Sequence, residues 1–248
     1  MSAEWEVYTS RLHEAQATIR VDLKAHDTHG ENTWCLRITI DLQDPGKDGT
    51  GVEKEQAALQ QIESRLGQLL SERNEAVCVG WLTTQGRREL MFYASHPGEL
   101  QEDVAGLRRE FPGYKLSAGL ENDPSWSRFR QILFPRPKDL KRIENRKRVQ
   151  RLADAGDPLT KPRRVSHWVQ FPTADDRKAF LQEVQPEGFK STAQRVKDDE
   201  GEERPFQLQI SRDDPVDLDS IHELTLDLEE RAAAYDGEYD GWETTPIK

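Results

Sequence analysis

The chain has 248 residues, with 35 Lys+Arg against 46 Asp+Glu, a net charge of -11 and two cysteines. Apolar residues make up 35% and charged residues 33%, and no run approaches the roughly 18 apolar residues that a membrane span needs. The acidic balance argues against a general binder of nucleic acid or anionic lipid.

Met1 to Glu6 shows neither the basic start nor the apolar run of a signal peptide, and Cys35 and Cys78 stand singly in apolar runs. A cytoplasmic location and free thiols are therefore expected. At roughly 100–200 residues per domain, the length predicts one or two domains.

Trp5, Val7 and Tyr8 open a first strand. Ile19, Val21 and Leu23, then Leu36, Ile38, Ile40 and Leu42, alternate with polar residues, the period of a strand with one buried face. After the turn-rich stretch Gln43–Gly51, Leu59, Ile62, Leu66, Leu69 and Leu70 predict an amphipathic helix of about five turns. Strands are predicted over Ala76–Thr84 and Arg88–Ala94, with Gln85-Gly86 as their turn. Leu100, Val104, Leu107 and Phe111 mark a helix stopped by Pro112-Gly113, and a strand follows over Tyr114–Ala118. Asp123-Pro124-Ser125 then caps a short helix holding Trp126, Phe129, Leu133 and Phe134.

Beyond Pro135 and Pro137 the composition changes. Residues 136–164 hold 11 Lys+Arg against 4 Asp+Glu, and 165–248 hold 9 against 21. A basic helix is predicted over 138–155, ended by Gly156-Asp157-Pro158. Val165, His167, Val169 and Phe171 alternate as a strand, with Trp168 on its other face. A helix around Phe180, Leu181 and Val184 ends at Pro186-Glu187-Gly188. Phe189–Val196 and Pro205–Ser211 form a strand pair joined by the acidic connection 197–204, and Ile221, Leu224, Leu228 and Ala232 define a final helix. The string Gly237 to Thr244 is expected to be a turn carrying two aromatics. The whole reads as α+β, with a domain over 1–136 and another over 137–248. Each is a mainly antiparallel sheet covered by helices, the second of ferredoxin-like order.

Catalytic signatures are missing. Gly46-Lys47-Asp48-Gly49 lacks phosphate-loop spacing, and there is no Gly-x-Ser-x-Gly elbow or His-Glu-x-x-His helix. His26 and His29 read as a solvated connection, so neither a metal nor another cofactor is expected. His167 reads as a buried histidine satisfied by a neighbour. Glu223, Asp227 and Glu230 share one face of the final helix, either solvated or docking a basic partner. Lys141, Arg142, Arg146, Lys147, Arg148 and Arg151 could meet RNA phosphates or pair with the acidic half of their own chain; the second is favoured, since no stacking aromatics accompany them. If the first domain is an enzyme, the candidates are Trp81, Tyr93, Asp123 and Trp126.

Tyr239-Asp240-Gly241-Trp242 resembles the signature closing the ribonuclease E inhibitor RraB family. Leu152 to Pro158, Val165-Ser166-His167-Trp168, Glu187-Gly188-Phe189 and Leu224–Ala233 are similar to that family's other landmarks, in order, over about residues 138–245. Trp5 to Tyr8, Arg88 to Ala94, and Asp123-Pro124-x-Trp126 with Leu133-Phe134-Pro135 resemble a bacterial domain of unknown function, family 695, over about residues 3–136. The first resemblance implies an RraB-like fold and a non-catalytic cytoplasmic regulator that binds a protein partner, restraining ribonuclease E and RNA degradation. It makes His167, Trp168 and Tyr239 to Trp242 candidates for a structural corner bordering the interface. The preceding extra domain, and the lack of the acidic tail that enterobacterial members carry, leave that partner's identity open.

Overall fold

The computed structural model describes residues 2–12, 14–197 and 203–247. Most of the acidic connection at 197–204 lies outside the described residues. Two compact units emerge, Met1–Asp139 and Leu140–Lys248. The fold is α+β, and every neighbouring strand pair in both sheets is antiparallel. No described helix is long and apolar enough to cross a membrane.

In the first unit, β1 (Trp5–Leu12), β2 (Ala15–Asp22), a short helix α1 (Ala25–His29) and β3 (Trp34–Asp41) precede the long helix α2 (Gln56–Asn74). Next come β4 (Val77–Thr84), β5 (Arg87–Ala94), α3 (Leu100–Glu110) and β6 (Leu116–Asn122). The sheet order is β1-β2-β4-β5-β3-β6. Leu36, Ile38 and Ile40 of β3 and Leu90 and Phe92 of β5 pack with Leu59, Ile62 and Leu66 of α2 and Val104 and Leu107 of α3. His26 and His29 fall in α1, not in an irregular connection.

The second face of this sheet is also partly covered. Phe129–Leu133 forms one π-helical turn. The Tyr8 hydroxyl donates to the Leu133 carbonyl at 2.8 Å. Trp126 is fully buried, stacks on Tyr93 at 3.8 Å and donates from Nε1 to the Asn32 carbonyl at 2.8 Å. The turn is anchored by Asp123, which accepts from the backbone N–H of Ser127 and of Arg128, both at 2.9 Å, and from the Tyr93 hydroxyl at 2.7 Å. Burial raises the Asp123 pKa, but these donors outweigh it and hold the group at about 2. Gly80, with φ +153, makes the seat: a Cβ there would stand 2.3 Å from the Arg20 carbonyl oxygen and 3.0 Å from Leu133.

The second unit begins within α4 (Pro137–Asp154) and continues through β7 (Arg163–Phe171), α5 (Ala174–Val184), β8 (Lys190–Val196), β9 (Phe206–Asp214), α6 (Leu218–Ala233) and β10 (Glu238–Thr244). Its order β10-β7-β9-β8 is the βαββαβ arrangement of ferredoxin-like folds. Asp157 ends the α4 turn as a buried acceptor. It pairs with Arg163, at 2.8 Å to Nη2, and accepts from the backbone N–H of Leu159 and of Ile247, each at 2.8 Å. Arg163 is the main reason that the carboxyl stays well below the usual carboxylate range.

One expectation is corrected here. Residues 238–244 are not a turn but the edge strand β10, paired with β7. The register shifts between Tyr239 and Gly241, so Asp240 and Gly241 together face Trp168. Residues three apart in a regular strand lie on opposite faces. The extra residue lets Tyr239 and Trp242, three apart, both be buried.

Trp126→Ala should destabilise the first unit by about 3–5 kcal/mol, as large-to-small changes at buried aromatics do. Urea denaturation followed by far-UV circular dichroism measures it.

Candidate functional site

The helices of the second unit cover one face of its sheet. Val169, Phe171, Leu208, Ile210 and Tyr239 pack with Phe180 and Val184 of α5 and Leu228 and Ala232 of α6. Val165 and Trp242 pack with Val149 and Leu152 of α4 and Ile221 of α6. Alternation then turns Ser166, Trp168 and Gln170 of β7 to the other face, where each is half-buried.

Asn145 joins α4 to this core. It is buried; its Oδ1 accepts from Trp242 Nε1 at 2.8 Å, and its Nδ2 donates to Thr225 Oγ1 at 2.8 Å. Arg148, one turn on, donates to the Trp242 carbonyl. Gly241, φ +134, admits that guanidinium, since a Cβ there would lie 2.9 Å from Arg148 Nη2. Sequence reasoning passed over Asn145, although it shares the spacing of Val149 and Leu152. A polar residue at core spacing, facing an indole N–H, is the signal that was available.

The other cations of α4 are largely occupied. Arg142 meets Asp219 at 2.5 Å, and Lys141 lies 3.7 Å from Glu229 and 5.6 Å from the Tyr239 ring centre. Arg146 and Lys147 are not free either. Arg151 is exposed, beside a shallow hollow shared with Trp242 and Thr244.

His167 is fully buried, with Nδ1 2.8 Å from the Tyr239 hydroxyl. Its Nε2 has no partner among the described residues, so the expected satisfaction holds for one ring nitrogen and not the other. Burial, with a smaller contribution from Arg212, lowers its pKa to about 3. His167, Tyr239 and Trp242 are thus interior groups, whereas Asp240 is exposed and Trp168 is half-buried opposite Gly241 and Gln209. Gln209 Nε2 approaches Glu243 Oε1 at 3.4 Å across the open sheet face.

On α6, Glu223 and Glu230 are exposed, and Asp227 is tied to Arg231 at 3.0 Å. That helix packs on the covered face of the sheet, so the acidic helix and Trp168 belong to opposite sides of the unit. The residues singled out in the sequence therefore divide among a buried knot, an open sheet face and a helix surface.

In the first unit, Tyr93, Asp123 and Trp126 do meet, but as the anchor of the π-helical turn. Trp81 packs with the α2 and α3 core and lies under the Arg88 guanidinium at 4.0 Å. Burial pushes the Cys35 thiol up to about 12 and the Cys78 thiol to about 11, far from a thiolate nucleophile. Among the described residues, no group of three His, Cys, Asp or Glu is placed to hold a metal ion.

Comparison with known proteins gives two family matches. Residues 142–244 match the family "Regulator of ribonuclease activity B", RraB. Residues 3–134 match the "Family of unknown function (DUF695)". No curated protein matches the chain. Among solved structures, "Crystal Structure of an Unknown Protein from Galdieria sulphuraria" is similar at 9% identity and TM-score 0.25, covering 86% of this chain and 99% of its own. "Crystal structure of putative glycine cleavage system transcriptional repressor" is similar at 10% identity and TM-score 0.24, with the same coverages. At those scores neither likeness carries an argument.

Two outcomes are expected. Asn145→Ala strips partners from Trp242 Nε1 and Thr225 Oγ1 and should destabilise the second unit by about 2–3 kcal/mol in urea. For His167, the folded pKa lies below the unfolded value of about 6.5, so the unfolded chain takes up the proton first. Its contribution to stability is complete near neutral pH and is lost as pH falls from about 6.5 towards 3. Denaturation at stepped pH should show a slope of up to about 1.4 kcal/mol per unit that His167→Leu removes.

Proposed function

Because this chain belongs to the DUF695 family of unknown function and continues into an RraB-like module, we propose that it is a non-catalytic regulator of ribonuclease activity. It acts by binding a ribonuclease E-like enzyme as a protein partner in the cytoplasm. The RraB match over residues 142–244 carries this reading.

The second unit supplies a suitable surface. On the side of its sheet not covered by helices, Trp168 stands among Ser166, Gln170, Gln209 and Glu243. A half-buried tryptophan on a rigid strand is the kind of anchor that dominates protein interfaces. Nearby carboxylates favour a basic segment and speed its capture. Asp240 and Glu238 add charge along the same edge strand. Direct RNA binding through α4 is less favoured, because Lys141, Arg142 and Arg148 are engaged within the unit. The buried knot of Asn145, His167, Tyr239 and Trp242 shapes the surface from beneath and does not touch the partner.

The test uses the full chain and ribonuclease E from the same organism, with surface plasmon resonance and an RNA cleavage assay. Saturable binding and slower cleavage are expected. Trp168→Ala should weaken binding by about tenfold or more with an unchanged melting temperature. No binding at low salt together with unaltered cleavage would overturn the proposal.

A further inference from the structure

The first unit holds a cleft of about 700 Å³, within the size range of small-ligand sites. Its floor is the second face of the six-stranded sheet, and the π-helical turn contributes to its wall through Ile132. π-Helical turns often occur at functional sites. Leu12, Leu82 and Ile132 give it apolar surface, while Arg37, Thr39 and Glu89 give it polar surface.

Arg37 distinguishes this cleft from a solvent-filled groove. Three arginines line it, and all three face carboxylates, two of them closely: Arg128 reaches Glu121 at 2.7 Å and Arg87 reaches Asp41 at 3.2 Å. Arg37 is flanked by two carboxylates at ion-pair distance, its Nη1 3.7 Å from Glu89 Oε2 and its Nε 3.5 Å from Glu121 Oε1. Its Nε is buried and has no hydrogen-bond partner among the described residues. The guanidinium rests over Gly119, where a Cβ would lie 3.3 Å from Nη2. A guanidinium presents a planar fork of donors that fits a carboxylate two-to-two, and neither Glu89 nor Glu121 engages Arg37 in such a close pair.

We propose that this cleft binds a small monocarboxylate with a short apolar body. Arg37 takes the carboxylate, and Leu12, Leu82 and Ile132 take the body. The charge balance selects a single negative charge. Glu89 and Glu121 already flank Arg37, so a phosphate dianion meets more repulsion than a carboxylate does. The site belongs to the DUF695 unit and is independent of the partner-binding reading of the second unit.

The probe is sodium octanoate, titrated into the full chain by calorimetry, with octan-1-ol and inorganic phosphate as comparisons. Saturable one-to-one binding of octanoate is expected, with each comparison at least about tenfold weaker, a difference of about 1.4 kcal/mol. Arg37→Gln should weaken octanoate by about tenfold or more, and Ile132→Trp, which fills the cleft, should abolish binding. Equal affinity for octan-1-ol or phosphate overturns the proposal, as does no saturable binding up to about 1 mM. Unchanged octanoate affinity in a folded Arg37→Gln chain does the same. Should Arg37→Gln fail to fold by circular dichroism, Ile132→Trp decides, and undiminished binding there rejects the site.

Discussion

The β-bulge at Asp240–Gly241 is the constraint on which the second unit depends. A regular strand would send Tyr239 and Trp242 to opposite faces. One extra residue sends both inward, Tyr239 to His167 and Trp242 to Asn145. The bulge therefore joins the sheet to α4 while leaving Asp240 exposed. Gly241 is needed twice over, for its positive φ and for the space that Arg148 occupies. The Tyr-Asp-Gly-Trp string is thus a folding device whose four members do four different things.

The first unit uses the same device for another purpose. The register of β4 shifts between Cys78 and Gly80. Cys78 and Trp81, also three apart, then both pack against the α2 and α3 core. Gly80 leaves its side of the sheet open to Leu133 of the π-helical turn. In both units a glycine at a bulge lets a helical segment approach the sheet closely. Each unit also has a buried carboxylate that serves architecture: Asp123 and Asp157 are each saturated by donors, which is why they hold their charge so firmly.

Much of this was legible in the sequence, because period-two and period-3.6 patterns report directly on which face is buried. The strands around Ile38 and Val169, the helix over Leu59–Leu70 and the α+β class all follow from it. β10 escaped because its bulge breaks the period and its glycines imitate a turn. Asn145 was hidden in a helix read by its charge. Trp81, Tyr93, Asp123 and Trp126 stood out only as candidates for an enzyme site; the last three meet as a structural anchor, while Trp81 packs with the α2 and α3 core. Arg37 carries no local signal at all. Its meaning comes from Glu89 and Glu121, 52 and 84 positions away along the chain.

The strand order of the second unit also has a bearing on synthesis. β10 pairs with β7, the first strand of its own sheet, yet it is translated after every other element of that sheet. Until it arrives, β7 has an open edge, and Asn145 and His167 lack the partners that Trp242 and Tyr239 provide. Such an edge is a template for pairing with another chain, and pairing so distant in sequence is slow to form. The first unit draws its strands wholly from residues already made by then. The sheet of the RraB-like module therefore closes only once its own final strand, β10, has been made.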